Sequence, residues 1–178
     1  MHLLNIQTEL GEFVITLAYD QAPVTCKYFC DLAANHALDN GTIFRILAPI
    51  NHSDQDSHPI GVVQVGLQEG LHARRTTIAH ESTDKSGLVH RKWTVSAARF
   101  APGEVYGSFF ICMREDPELN HGGPRTSDSK GYAAFGSITA GHDVLEKIYA
   151  RAQVQELLDV PISVPRVRLM TPLEANSQ

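Results

Sequence analysis

The sequence has few of the residues that build a disulfide framework. Only three of its 178 residues are cysteine: Cys26, Cys30 and Cys112. An odd and low count argues against the cross-linked scaffold of a small secreted domain. Cys26 and Cys30 lie on one predicted helix and could form a redox pair, but two small core residues are the simpler interpretation. We therefore expect structural rather than reactive thiols.

A dense positive charge is also lacking. The formal net charge is -5 and the sequence pI is about 6.0. Basic residues occur in short pairs, such as Arg74-Arg75, rather than in a stripe. A nucleic-acid surface or an anionic membrane surface needs a concentrated basic patch. We therefore expect neither nucleic acid nor membrane among the partners.

Long hydrophobic runs are absent as well. No apolar stretch approaches the roughly 20 residues that cross a bilayer, and residues 1–9 lack the basic start and apolar core of a signal peptide. We expect a cytoplasmic protein, with a monomer as the default state. The length, the 43% of hydrophobic residues and the even composition predict one domain over residues 1–178.

What the chain does contain is a series of short segments rich in β-branched and aromatic residues. Apolar residues at helical spacing predict two helices, at about 24–36 and 141–150. Strands are predicted at about 3–8, 13–17, 42–47, 60–67, 93–98, 108–113, 133–138 and 162–170. Many strands without a βα repeat indicate an antiparallel barrel or sandwich with helices packed on it.

Two polar segments lie between these elements. His52, Asp54, Asp56 and His58 are residue types that bind metals. Their spacing is not rigid and the polarity of a loop explains them, so we expect no metal and no cofactor. The segment 74–81 is most simply a solvated loop.

Seven segments have motifs whose order and spacing are more specific than any one motif alone. They are Gly11 with Leu17, Ala22-Pro23-Val24-Thr25 with Phe29, Gly41-Thr42-Ile43-Phe44, Trp93-Thr94-Val95-Ser96-Ala97-Ala98-Arg99, Gly107-Ser108-Phe109-Phe110-Ile111, Gly131-Tyr132-Ala133-Ala134-Phe135-Gly136, and Gly141 with Asp143-Val144-Leu145 and Lys147-Ile148. Together they resemble a cyclophilin of the short bacterial kind over nearly the whole chain.

The resemblance implies a mainly β fold, a closed eight-stranded antiparallel barrel capped by two α-helices. It also implies an outer groove that binds proline-containing peptides or protein clients. Members of the family accelerate cis-trans rotation about the bond before the proline, without covalent chemistry. The substrate-binding residues that it implies here are Phe110, Ala98, Leu119, Tyr132, Val63 and Ser108. Phe110 would grip the proline ring, although a plain core role is the alternative.

The catalytic arginine is harder to assign. The family reads Phe-His-Arg where this chain reads Phe44-Arg45-Ile46. Without a gap, Ile46 takes the position of the arginine, and Arg45 points to the other face because side chains alternate along a strand. A one-residue deletion or a β-bulge would restore Arg45 to the catalytic position; otherwise it is a solvated strand residue.

Two functions stay open at this point. The first is a peptidyl-prolyl cis-trans isomerase with Arg45 as its catalytic residue. The second is a module that binds proline peptides or a partner with little or no isomerase activity. The second is favoured by the aliphatic residues at positions that resemble the active site, which are Ile46, Val62, Val63 and Val65. In the same segment, the glutamine that supports the arginine in the family is displaced by one position or missing.

Overall fold

Ten strands and three α-helices make up the part of the chain that the computed structural model describes, residues 2–53, 56–67 and 75–170. The strands are β1 (Leu3–Thr8), β2 (Gly11–Leu17), β3 (Gly41–Leu47), β4 (Val62–Gly66), β5 (Thr76–Thr77), β6 (Thr94–Arg99), β7 (Glu104–Cys112), β8 (Ala133–Ala140), β9 (Leu157–Val164) and β10 (Arg166–Met170). The helices are α1 (Pro23–Ala34), the single turn α2 (Thr83–Ser86) and α3 (His142–Tyr149).

The strands form one antiparallel sheet that curves into a barrel. Its order is β10-β1-β2-β8-β6-β7-β4-β3-β9, with the short β5 pairing with β7 outside this path. Only Pro165 separates β9, which pairs with β3, from β10, which pairs with β1. These two segments therefore act as one bent strand that closes the barrel. Counted in this way, the predicted eight-stranded barrel is confirmed.

The alternation of side chains along each strand separates an inner core from a second apolar cluster on the outer face. The largest fully buried side chains include Phe13, Phe29, Phe109 and Phe135, and these phenylalanines all belong to the inner core. The outer cluster consists of Leu47, Ile60, Val62, Ala98, Tyr106, Phe110, Cys112 and Leu119. This outer cluster is the feature that the functional site is built on.

The predicted helices are confirmed as α1 and α3. The N-terminus of α1 is held from a distant loop by Glu81, whose carboxylate accepts hydrogen bonds from the backbone N–H groups of Val24 (3.0 Å) and Thr25 (2.8 Å). A carboxylate at a helix N-terminus stabilises the helix by accepting from unpaired N–H groups. The prediction of a solvated loop is thus wrong for Glu81, while Arg74 lies outside the described residues.

The cysteines are structural, as predicted. Cys26, Cys30 and Cys112 are free and buried. Burial raises the pKa of Cys26 to about 12, so its thiol stays protonated and unreactive near neutral pH. In residues 2–53, 56–67 and 75–170, no helix has the length and apolar character needed to cross a membrane.

Candidate active site

An open groove of about 330 Å³ lies on the outer face of the barrel, across β3, β4, β7 and β6. Its described lining residues are Arg45, Leu47, Ile60, Val62, Gln64, Ala98, Arg99, Tyr106, Phe110, Leu119, Arg125 and Tyr132. Five of the predicted site residues are brought together here: Arg45, Phe110, Ala98, Leu119 and Tyr132. Two others, Val63 and Ser108, are not part of the groove wall.

A β-bulge in β3 brings Arg45 to the groove. Ile43 pairs with Val65, and the next paired residues are Arg45 and Gln64, so Phe44 is an extra residue in β3. An extra residue reverses the alternation that follows it. Ile46 is therefore fully buried in the inner core, and Arg45 faces outward. Of the two alternatives that the sequence left open, the bulge is the one present, and Ile46 does not face the groove.

Register then aligns three side chains in one row across the groove. Arg45 of β3 pairs with Gln64 of β4, which pairs with Phe110 of β7. Neighbouring strands are about 4.8 Å apart, so about 10 Å separates the backbones of Arg45 and Phe110. An arginine side chain can cross much of that distance. The row therefore combines a cation, an amide and an aromatic ring at one level of the groove.

The guanidinium of Arg45 is oriented by Glu156. Its Nε and Nη2 donate to Oε2 of Glu156 at 3.0 and 2.6 Å. Both side chains are partly exposed, so the pair adds little to the free energy of unfolding. Its effect is to reduce the number of orientations that Arg45 adopts. Glu156 was not predicted as a site residue, because it lies in a loop far from Arg45 in the sequence.

Gln64 is fixed by two hydrogen bonds from its amide nitrogen. Nε2 donates to Oη of Tyr106 at 2.9 Å and to Oγ of Ser108 at 3.2 Å. Ser108 is fully buried and donates to the carbonyl of Val65 at 2.9 Å. It lies behind Gln64 rather than in the groove wall, so a direct substrate contact for Ser108 is wrong. Gln64 itself stands opposite Arg45, so a displaced or missing glutamine is also wrong.

The prediction for Val63 fails because of strand alternation. Val63 and Val65 are fully buried in the inner core, whereas Val62 and Gln64 line the groove. Of the four aliphatic residues thought to fill the active site, only Val62 does so. The observation that favoured a binding module without catalysis is therefore largely removed.

The apolar end of the row forms a pocket around Phe110. Leu119 and Ala98 are buried members of the outer cluster. Tyr132 meets the Phe110 ring edge to face, with 5.1 Å between the ring centroids. The backbone N–H of Tyr132 donates to the carbonyl of Leu119 at 3.0 Å, which ties both residues together. This end of the groove therefore offers an apolar surface lined by Phe110, Leu119, Ala98 and Tyr132.

His90 lies behind this pocket and was missed by the sequence reasoning. Its ring stacks on Phe110 at a centroid distance of 6.1 Å. Nδ1 contacts Oδ1 of Asn120 at 2.8 Å and Nε2 contacts Oγ of Ser96 at 2.9 Å. Burial lowers the pKa of His90 to about 4, so the ring is neutral at pH 7. An Nδ1–H donating to Asn120 and a Ser96 hydroxyl donating to Nε2 satisfy all of these groups.

Two further arginines line the groove. Arg99 is almost fully buried and donates to Asp128 twice, at 2.9 Å each; its hydrogen bonds hold the pKa of Asp128 well below its usual range. Arg125 projects from the 120–131 loop, and its Nη1 contacts both carboxylate oxygens of Asp56 at 3.3 Å. Neither arginine was predicted as a site residue.

Two of the four residues of metal-binding type have partners within the protein. Nε2 of His52 contacts the carbonyl of Ile60 at 2.9 Å, and Asp56 pairs with Arg125. Asp54 lies outside the described residues. Within the described ranges, no His, Cys, Asp and Glu side chains form a group of three or more that could hold a metal ion.

Comparison with known proteins shows which family this chain resembles. The family model described as "Cyclophilin type peptidyl-prolyl cis-trans isomerase/CLD" matches residues 3–169. A peptidyl-prolyl cis-trans isomerase of Acinetobacter baylyi is 29% identical over 147 residues, which are 82% of this chain and 71% of that protein. Peptidyl-prolyl cis-trans isomerase A of Dickeya dadantii is 30% identical over 155 residues, which are 86% of this chain and 72% of that protein.

Solved structures agree on the fold. A cyclophilin type peptidyl-prolyl cis-trans isomerase of Cryptosporidium parvum matches with a TM-score of 0.75 at 18% identity, over 96% of this chain and 98% of that one. A structure of that protein in the presence of the dipeptide Ala-Pro matches with a TM-score of 0.72 at 19% identity, over 95% and 99% of the two chains.

The chain belongs to the cyclophilin-type peptidyl-prolyl cis-trans isomerase family. The resemblance inferred from the sequence motifs is thereby confirmed, and so is the function class. The isomerase, rather than the binding module without catalysis, is the function that these matches support.

Proposed function

We propose that the groove binds an extended proline-containing segment and that Arg45 catalyses rotation about the bond before the proline. The observation that carries this proposal is the bulge at Phe44, which aligns Arg45 with Gln64 and Phe110. Phe110, Leu119, Ala98 and Tyr132 supply the surface for the ring.

The reaction needs electrostatics rather than a nucleophile. Amide resonance sets a barrier of roughly 18–20 kcal/mol. At the twisted transition state the proline nitrogen regains its lone pair and becomes pyramidal. A guanidinium N–H that faces this nitrogen stabilises the twisted state more than either planar state, which accelerates rotation in both directions. Glu156 keeps Arg45 in one orientation, so less entropy is lost when the substrate binds.

Gln64 supplies the complementary polar contact. The hydrogens of its amide nitrogen are directed to Tyr106 and Ser108, which leaves Oε1 as the group that can accept from a peptide N–H. This contact would hold the peptide backbone on one side of the proline while the other side turns.

We further propose that the physiological substrates are proline-containing client proteins during folding, that the protein works in the cytoplasm as a monomer, and that residues 1–178 form a single domain. The net charge of -5 and the scattered basic residues support a role without nucleic acid or membrane surfaces.

Exchange between the cis and trans forms of a short proline peptide, followed by NMR, tests the assignment of the groove. The wild type should accelerate exchange. Phe110→Ala should lose peptide affinity and acceleration together, because the ring pocket loses its largest wall. Arg168→Ala, on the exposed face of β10, is the matched control and should behave as the wild type. No acceleration by the wild type contradicts the proposal.

A further inference from the structure

The groove wall is unusual in the sign of its charge. Among its twelve described lining residues, the charged ones are Arg45, Arg99 and Arg125, and none is acidic. The carboxylates that pair with these arginines, on Glu156, Asp128 and Asp56, do not line the groove. The charged side chains that face a peptide in the groove are therefore all basic, although each is paired with a carboxylate and the whole chain is negative.

The three arginines differ in how many N–H groups remain available. Arg99 is only 3% exposed and uses Nε, Nη1 and Nη2 on neighbours in the protein. Arg45 is assigned to the reaction. Arg125 engages its neighbours only through Nη1, in three contacts of 3.3 Å. Within the described part of the chain its Nε and Nη2 have no hydrogen-bond partner, so these groups can bind a ligand.

Strand register shows where Arg125 lies relative to the proline pocket. The row of Arg45, Gln64 and Phe110 is followed along the strands by Leu47 and Val62, and then by Ile60. Arg125 contacts the carbonyl of His58, just beyond Ile60. Ile60 and His58 are four and six residues from Gln64, and two residues of extended chain span about 7 Å, so Arg125 lies about four to six residues of extended peptide from the bound proline.

We propose that Arg125 is a specificity-determining residue that favours substrates with an acidic side chain four to six residues from the proline. The inference rests on the proposed function of the groove. A guanidinium binds a carboxylate through two parallel N–H groups, and Arg125 keeps Nε and Nη2 for that contact. Asp56 offsets part of its charge, so the preference is modest.

The test uses pairs of proline peptides that differ only by Glu or Gln at the fifth residue before, or the fifth residue after, the proline. With the wild type at low salt, kcat/KM for one Glu peptide should exceed that of its Gln twin about fivefold, as expected of one partly exposed ion pair. Salt should reduce this ratio because it screens exposed charges.

Variants separate a specificity contact from a general effect on the loop. Arg125→Gln should bring the Glu-to-Gln ratio to about one, Arg125→Lys should keep part of it, and Arg168→Gln should leave it unchanged. Asp56→Asn should raise the ratio, because the guanidinium then keeps its full charge for the peptide. A loop that merely loosens would not strengthen the preference.

Peptide affinity is measured by NMR titration on the same samples, so the preference is tested even if exchange is not accelerated. Equal values for the Glu and Gln peptides on both sides of the proline overturn this inference. So does a ratio that survives in Arg125→Gln. Failure of the proposed function is a different outcome, since the wild type would then accelerate exchange of none of the peptides.

Discussion

Acid should weaken this fold through the histidine behind the proline pocket. Burial lowers the pKa of His90 from 6.5 to about 4, because the ring is only 1% exposed and its charged form is poorly solvated. The unfolded chain therefore takes up a proton at a higher pH than the folded chain does. The stability of the folded state falls as the pH drops below about 6.5, and the loss is complete below about 4.

The size of the effect follows from the two pKa values. A pKa difference of one corresponds to about 1.4 kcal/mol, so the full loss is about 3 kcal/mol. Most of it, about 2 kcal/mol, is already present at pH 4.5. This is a large part of the free energy of unfolding of an ordinary domain, which is about 5–15 kcal/mol.

The assay is urea unfolding at pH 7 and pH 4.5 for the wild type and for His90→Gln, which does not titrate. The wild type should lose about 2 kcal/mol more than the variant between the two pH values. Any constant cost of the substitution cancels in this difference. Other groups, such as Asp116, whose pKa is raised by burial, titrate in both proteins. Equal losses in the two proteins would refute the account of His90.

Three further predictions concern single contacts. Glu156→Gln should lower kcat for isomerisation a few-fold and leave peptide affinity nearly unchanged, because it loosens Arg45 without touching the ring pocket. Equal changes in kcat and in peptide affinity would contradict this. Glu81→Ala should lower the free energy of unfolding by about 1 kcal/mol through the lost cap of α1, whereas the exposed Glu115→Ala should change it little in the same denaturant titration. Val63→Ala should lower the free energy of unfolding by about 2 kcal/mol, because it leaves an unfilled space in the core. Val62→Ala should weaken peptide binding more than Val63→Ala does. Weaker peptide binding in Val63→Ala than in Val62→Ala would contradict the strand register.

The parts of the site that could be predicted are those fixed by local motifs. Phe110, Ala98 and Tyr132 fall within motif segments whose residue types and order are characteristic. The family resemblance implies Leu119 as well, and the structure gathers all four residues into one groove. The series of strands and the two main helices follow from patterns of period 2 and 3.6, which depend only on neighbouring residues. The closed barrel followed only from the family resemblance.

The parts that could not be predicted depend on an irregularity or on distant contacts. Strict alternation sends Arg45 inward, and only the extra residue Phe44 reverses this. The prediction that Val63 lines the groove came from matching this strand to the family motif, and the match was shifted by one residue. Glu156 reaches Arg45 across 111 residues and Glu81 reaches Thr25 across 56, and no local pattern contains such pairings.

The most direct test of the account is to remove the guanidinium of Arg45 and to measure rate and affinity on the same sample. For Arg45→Ala, the exchange rate of a bound proline peptide should fall about 100-fold or more, as when one preorganised donor is lost from a transition-state site, while peptide affinity changes little. Arg45→Lys keeps the charge but not the planar fork of donors, so its exchange rate should lie between those of the wild type and Arg45→Ala. Exchange that is as fast in Arg45→Ala as in the wild type would contradict the claim that the bulge in β3 delivers the catalytic residue.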